Sequence, residues 1–247
     1  MIRATVALAL AAGLAQGQLA TINGSGTVNG NGNAGFGGEI GNGSLTVETL
    51  ADGTVNLTLN HGSDSTFDNV GIYVDSVAGG INDTTGLTDS QDNGRGILSG
   101  GNGVSDLGFA AGFNADYGIT FDQFFSGIFG LTPADPANLD FVAGIGTDMS
   151  RSPEDAVWTA SFNLSQIGLT AGDSFTFVLT YGNGGNYRSG EFIGANPDQG
   201  SYPDGGNIGA NFFQLGDNDY VLVNSVPAPG ALALLGLGGL TATRRRR

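Results

Sequence analysis

Val157-Trp-Thr-Ala-Ser-Phe-Asn-Leu164 alternates apolar and polar residues. Trp158, Ala160, Phe162 and Leu164 fall on one side of an extended chain, and Thr159, Ser161 and Asn163 on the other. A repeat of two residues is the mark of a strand with one face in a core and one in water. Thr54-Val-Asn-Leu-Thr-Leu-Asn60 repeats the pattern, with Val55, Leu57 and Leu59 on the apolar side. Ser44 to Leu50 is β-prone, and the turn Ala51-Asp-Gly53 joins it to Thr54–Asn60 as a hairpin.

Working outward, Phe175, Phe177, Leu179 and Tyr181 share a face in a further strand, which follows the turn Ala171-Gly-Asp173. Val70-Gly-Ile-Tyr-Val74 is an unbroken apolar run ending at Asp75, which predicts a central strand. Tyr117–Phe121, Phe141–Ile145, 211–215 and Tyr220–Val223 supply further short strands. Phe124, Phe125, Ile128, Phe129 and Leu131 form an aromatic cluster, either a short helix or a strand and turn. Leu164–Leu169 predicts one helical turn. Leu19–Gly43, rich in Asn-Gly pairs, predicts a loose leader with one or two edge strands. Ala78–Gly103 predicts a long polar loop. The expected fold is all-β, an antiparallel and jelly-roll-like β-sandwich of two sheets spanning residues 18–225.

The composition agrees: 45 of 247 residues are Gly, favouring turns over long helices. The chain has no cysteine, so no disulfide framework supports it. It contains no lysine, and outside the terminal segments Arg95, Arg151 and Arg188 stand against all 23 acidic residues. A nucleic-acid partner is excluded on charge, because phosphate contacts need a basic surface.

Both ends carry targeting patterns. Arg3 precedes the apolar run Ala4–Leu14, and Ala15-Gln-Gly17 offers small residues for cleavage before Gln18. Residues 1–17 therefore read as a secretory signal peptide. At the other end, Val226-Pro-Ala-Pro-Gly230 precedes the apolar run Ala231–Leu240 and the cluster Arg244, Arg245, Arg246, Arg247. Val226 to Thr243 is uncharged for 18 residues, close to what a bilayer-crossing helix needs. The arginines would stay cytoplasmic by the positive-inside rule.

The order of these three blocks resembles the PEP-CTERM sorting signal of exported bacterial proteins, with Ala228 in place of the family's Glu. The resemblance implies sorting of residues 226–247 by an exosortase-like membrane transpeptidase. It also implies at least transient membrane anchorage through a C-terminal transmembrane helix. More weakly, Gly71–Asp75, Leu107–Phe121 and Trp158–Phe162 with Leu169–Asp173 resemble family-nine carbohydrate-binding modules and their DOMON relatives, which are β-sandwiches. That likeness implies surface carbohydrate binding as an alternative role, with exopolysaccharide as partner.

Catalytic chemistry finds few residues. His61 is the only histidine, so a Ser-His-Asp triad or a His/Cys zinc site lacks members. No catalytic residue is assigned, and the chain is read as non-enzymatic. Asp83, Asp89 and Asp92 share a Gly-rich loop, and calcium takes such oxygen ligands; the other reading of these acids is solvated loop residues. Tyr187, Phe192 and Tyr202 lie in a Gly/Asn-rich segment, as sugar-stacking rings or as pins of an ordinary loop. The expected function is an exported structural or adhesive protein of the cell envelope, cell surface or extracellular matrix.

Overall fold

The computed structural model describes residues 19–33, 40–62, 65–66, 68–146, 152–183, 187–195 and 212–230. The expected signal peptide, Tyr202, Ala231–Leu240 and Arg244–Arg247 lie outside these residues. No helix among the described residues is long and apolar enough to cross a membrane.

The chain is all-β and sandwich-like. Its strands are β1 (Ala20–Asn23), β2 (Ser25–Asn29), β3 (Ser44–Thr49), β4 (Thr54–Asn60) and β5 (Asn69–Asp75). Two short helices follow, α1 (Asn93–Leu98) and α2 (Gly100–Gly103). Then come β6 (Leu107–Gly108), β7 (Tyr117–Phe121), β8 (Ser126–Gly130), β9 (Asp140–Gly144) and β10 (Val157–Asn163). A 3-10 turn, Leu164–Ile167, leads to β11 (Ser174–Gly182), β12 (Arg188–Ile193), β13 (Phe213–Gln214) and β14 (Val221–Asn224).

Two separate antiparallel sheets are not what forms. Twelve strands make one sheet in the order β10-β4-β3-β2-β1-β14-β11-β5-β7-β8-β9, with β12 also paired to β11. This sheet folds over on itself. Leu45, Val47, Leu57, Ala160 and Phe162 from one half share a core with Ile72, Val74, Ile119, Phe175 and Phe177 from the other. The void left between those halves is only about 10 Å³, so the faces interlock at the density of protein interiors. The two ends of the sheet meet: Ser161 N on β10 donates to Ile145 O, just past β9, at 3.2 Å. The period-two strands pair as their patterns require, with Trp158, Ala160 and Phe162 opposite Leu59, Leu57 and Val55.

Three further expectations are corrected. The leader is not loose or peripheral: β1 and β2 sit in the middle of the sheet, and β1 pairs β14 in parallel. Those strands need only one fully buried residue each, Ile22 and Val28, because their outer face is in water. The Ala78–Gly103 segment is not a free loop. It carries α1 and packs over the outer face of β5, β7 and β11, making a second core with Tyr73, Ile97, Leu98, Leu107, Phe109, Phe129 and Val178. The polar run Arg188–Ile193 forms β12, buried along its whole length.

α1 rides close to the sheet because glycines make room. A Cβ on Gly118 would lie 2.7 Å from Leu98 Cδ2, and one on Gly182 would lie 2.3 Å from Ile97 Cδ1 and 2.6 Å from Tyr187 O.

Strand directions give the sandwich two distinct ends. Asn224 of β14 lies beside Ser174 of β11, and Asp75 of β5 beside Thr176. The chain therefore leaves at the end that carries the Thr49–Thr54 and Gly168–Ser174 turns. The β7–β8 turn lies at the other end, since Phe121 pairs Val70 and Ser126 pairs Phe121.

Removing residues 18–33 takes out two central strands and is expected to abolish cooperative thermal unfolding followed by circular dichroism. A dispensable leader would leave the transition within a few degrees. Gly182→Ala, which meets backbone as well as side chain, is expected to cost about 1–3 kcal/mol in urea denaturation.

Candidate functional site

The second core carries the least expected group. Arg188 is fully buried on β12, and among the described residues it pairs with no carboxylate; the ion pairs there belong to Arg95. Its guanidinium donates to Ser105 O at 3.2 Å, Thr180 Oγ1 at 2.6 Å, Tyr73 OH at 3.0 Å and Ile97 O at 2.8 Å. Its carbon Cζ stands 5.7 Å from the centre of the Tyr73 ring. Tyr73 in turn donates toward Ile97 O and Leu98 O, at 2.9 and 3.1 Å. Burial raises the Tyr73 phenol above its ordinary value, and the Arg188 charge pulls it partly back. These bonds satisfy the last carbonyls of α1, which a six-residue helix cannot satisfy itself. The signal in the sequence was a lone Arg within a run otherwise free of basic residues.

The three loop aspartates do not converge. Asp83 Oδ1 accepts from the backbone and hydroxyl of Thr85. Asp89 is fully buried; it accepts from Gln91 N at 3.1 Å and Leu139 N at 2.7 Å, and lies 3.7 Å from Arg95 Nη1. Asp92 caps α1, accepting from Arg95 N at 2.8 Å and Nε at 2.7 Å. Among the described residues no group of three His, Cys, Asp or Glu side chains is placed to hold a metal ion. Of the two described aromatic candidates, Tyr187 is partly exposed, whereas Phe192 is 3% exposed and belongs to the second core, out of reach of an external sugar.

His61, just past β4, is half-buried. Its ring meets the buried Trp158 edge-on at 4.7 Å, and neither ring nitrogen has a hydrogen-bond partner among the described residues. Burial lowers its pKa to about 4, with Asp155 opposing.

A wide concave feature lies at the end away from the chain exit. It is a cleft of about 460 Å³ between the start of α1 and the β7–β8 turn, lined by Asp92, Asn93, Gly94, Asp122, Phe124 and Phe125. Phe124 is 73% exposed at its lip, and Phe141 on β9 is 59% exposed. Phe141 lies 6.4 Å from Phe125 and 5.5 Å from Phe129, ring centre to ring centre. The turn that presents Phe124 is fixed: Asp122 Oδ1 accepts from Phe124 N at 2.7 Å and Phe125 N at 2.8 Å. An exposed ring on a rigid turn, beside side chains that accept hydrogen bonds, offers an apolar face and polar edges together. The sequence had the aromatic cluster but not which rings face outward.

At the opposite end the Val226–Gly230 segment begins two residues after β14 ends. Val226 N donates to Thr49 Oγ1 at 3.1 Å. Ser225 accepts from Gly172 N at 2.8 Å and donates to Asp173 O at 2.7 Å. Pro227 and Pro229 are exposed, and Pro229 and Gly230 are already helical.

No protein-family model, curated protein or solved structure matches this chain.

Arg188→Met, which strands the Tyr73, Thr180 and Ile97 partners, is expected to destabilise by about 3 kcal/mol in urea denaturation, since each bond to a charged donor is worth roughly 1.5–3 kcal/mol. His61 has a folded pKa below its unfolded value, so the unfolded chain binds the extra proton between about pH 6.5 and about pH 4. Its contribution is present above that window and is lost as pH falls through it. Allowing for partial exposure, it amounts to about 1–2 kcal/mol. His61→Gln is expected to flatten that part of the stability–pH curve, measured as urea midpoints at pH 7 and pH 4.5.

Proposed function

We propose that this chain is an exported, non-enzymatic β-sandwich with a structural or adhesive role at the cell surface or in the extracellular matrix. Residues 226–247 would hold or sort it at the membrane, with an exosortase-like transpeptidase as partner. The observation that carries the reading is the geometry of the exit. A compact acidic domain ends at Ser225, and the motif, apolar run and arginine cluster follow without a linker. A backbone entering hydrocarbon must satisfy its own hydrogen bonds, so Ala231–Leu240 would cross as a helix despite its glycines.

The alternative, surface carbohydrate binding, is favoured by the cleft at the far end. Its exposed Phe124 ring offers a face for the C–H groups of a sugar, and Asp92, Asn93 and Asp122 offer acceptors for hydroxyls. It does not use Tyr187 or Phe192, the two described positions among the three aromatics first considered.

Leu235→Arg puts a charge near the middle of the apolar run, at about 2.5–3.5 kcal/mol on insertion scales. The variant is expected to leave the membrane fraction and appear in the periplasm or medium. Full retention at the membrane would defeat the tether reading. For the cleft, Phe124→Ala in the detergent-purified full chain is expected to weaken retention on an array of neutral polysaccharides at least fivefold. Equal retention of both proteins, or none by either, would remove the carbohydrate reading.

A further inference from the structure

We infer that the end of the sandwich formed by the Thr49–Thr54 turn, Val77 and the Gly168–Ser174 turn lies against the lipid headgroup layer, with the Phe124 cleft facing away from it. This rests on the tether reading above and deepens it, because a tail alone fixes neither the distance nor the orientation of the domain it carries.

The argument begins with chain length. Among the described residues the last one bonded to the domain is Val226, whose N–H is held by Thr49 Oγ1. The apolar run begins at Ala231. Only Pro227, Ala228, Pro229 and Gly230 lie between, and four residues reach at most about 14 Å when fully extended. Two of them, Pro229 and Gly230, are helical, which shortens the reach. The bilayer is about 40–45 Å thick with headgroups and about 30 Å without, which leaves about 5–7 Å of headgroup on each side. Two extended and two helical residues reach about 10 Å, so the domain can stand only a few ångströms off the surface.

The exit is also clamped sideways, so the domain cannot swing on a loose hinge before Pro227. Ser225 N and Oγ both bond Asp173 O, Gly172 N bonds Ser225 Oγ, and Gly24 N bonds Asn224 O at 3.0 Å. The residues around this exit suit an interfacial position. Leu50 and Val77, each 38% exposed, put two apolar side chains in water at this end, while the more exposed Phe124 and Val157 lie at the far end. Asp52 and Asp173, on the same turns, are anionic, so the layer they fit is zwitterionic or otherwise poor in net negative charge.

The chain lacks cysteine, which permits single labels. Ala171→Cys marks the exit end and Val157→Cys the far end; Val157 is an exposed first residue of β10 opposite Asn60. Each full-length variant carries a small fluorophore and is reconstituted into phosphatidylcholine vesicles containing a lipid with a nitroxide on its headgroup. A circular-dichroism melt matching the unlabelled chain confirms the fold of each. Headgroup quenching is expected to be at least threefold stronger at position 171 than at position 157. Equal quenching, or stronger quenching at 157, in protein that floats with the vesicles would overturn the orientation while leaving the tether intact. Protein that fails to float would overturn the tether reading, and the orientation with it.

Discussion

The pairing of β11 with β5 is the constraint on which the rest depends. The two strands run side by side over seven register pairs, from Thr176–Asp75 to Gly182–Asn69. Both are buried on both faces, so their residues divide between two cores. Ile72, Val74, Phe177 and Leu179 face the inside of the folded sheet, while Tyr73 and Val178 face the cover made by α1 and the segments around β6 and β13. Loss of this wall would open both cores at once. It also fixes the polarity of the molecule, because β14, β7 and β12 are all placed by what β11 and β5 allow.

The second core tolerates a buried cation because its own backbone needs one. α1 is too short to satisfy its carbonyls, and its glycines place it close to the sheet, where little water can reach. Arg188 fills that shortage with a rigid fork of donors, a task for which a single point charge such as Lys is poorly shaped. Burying the charge without a carboxylate costs desolvation, but the accepting groups would otherwise be buried without partners. The acidic residues around the domain add a favourable background field; Asp106 is close enough to be felt, and Arg188 partly offsets the rise that burial gives its pKa.

How far the sequence could be read follows from where each strand faces water. β3, β4 and β10 have one wet face, so the alternation around Trp158 was plain and their register followed. β5 and the later part of β11 are dry on both faces; β5 read as a continuous apolar run, whereas β11 showed one apolar face, with Thr176 and Thr180 on the other. β1 and β2 were legible only as edge strands, because a strand with one wet face and few residues needs only Ile22 or Val28 to hold its place. β12 escaped for the opposite reason: Arg188, Ser189 and Glu191 are buried but satisfied, with Glu191 accepting from Ser189 Oγ at 2.7 Å and Gly41 N at 3.2 Å. The parallel β1–β14 pair joins residues some two hundred positions apart, and no local pattern encodes that. The cleft was half legible: the aromatic cluster was visible, but the outward turn of Phe124 depends on Asp122 capturing two backbone amides.

The same capture recurs across the surface and accounts for much of the chain's acidity. Asp52, Asp83, Asp89, Asp122, Asp135, Asp155, Asp173 and Asp219 each accept a backbone N–H from two or three residues away. Asp116 does so over a longer range, holding Ser76 N and Val77 N, both at 2.9 Å. An aspartate that closes a turn in this way supplies what a hairpin connection lacks, an acceptor for an otherwise unpaired donor. Loops dense in Asp, Asn and Gly thus have two physical origins, cation coordination and turn closure, and composition alone does not separate them. Asp83 and Asp92 accept from backbone two or three residues on, and Asp89 reaches Leu139 N as well. Turn closure of this kind occupies eight of the 23 acidic residues. The hydrogen bonds that lock Asp52 and Asp173, from Thr54 and Thr170, hold their carboxyls below the ordinary range, as expected where ionisation and turn closure are the same event.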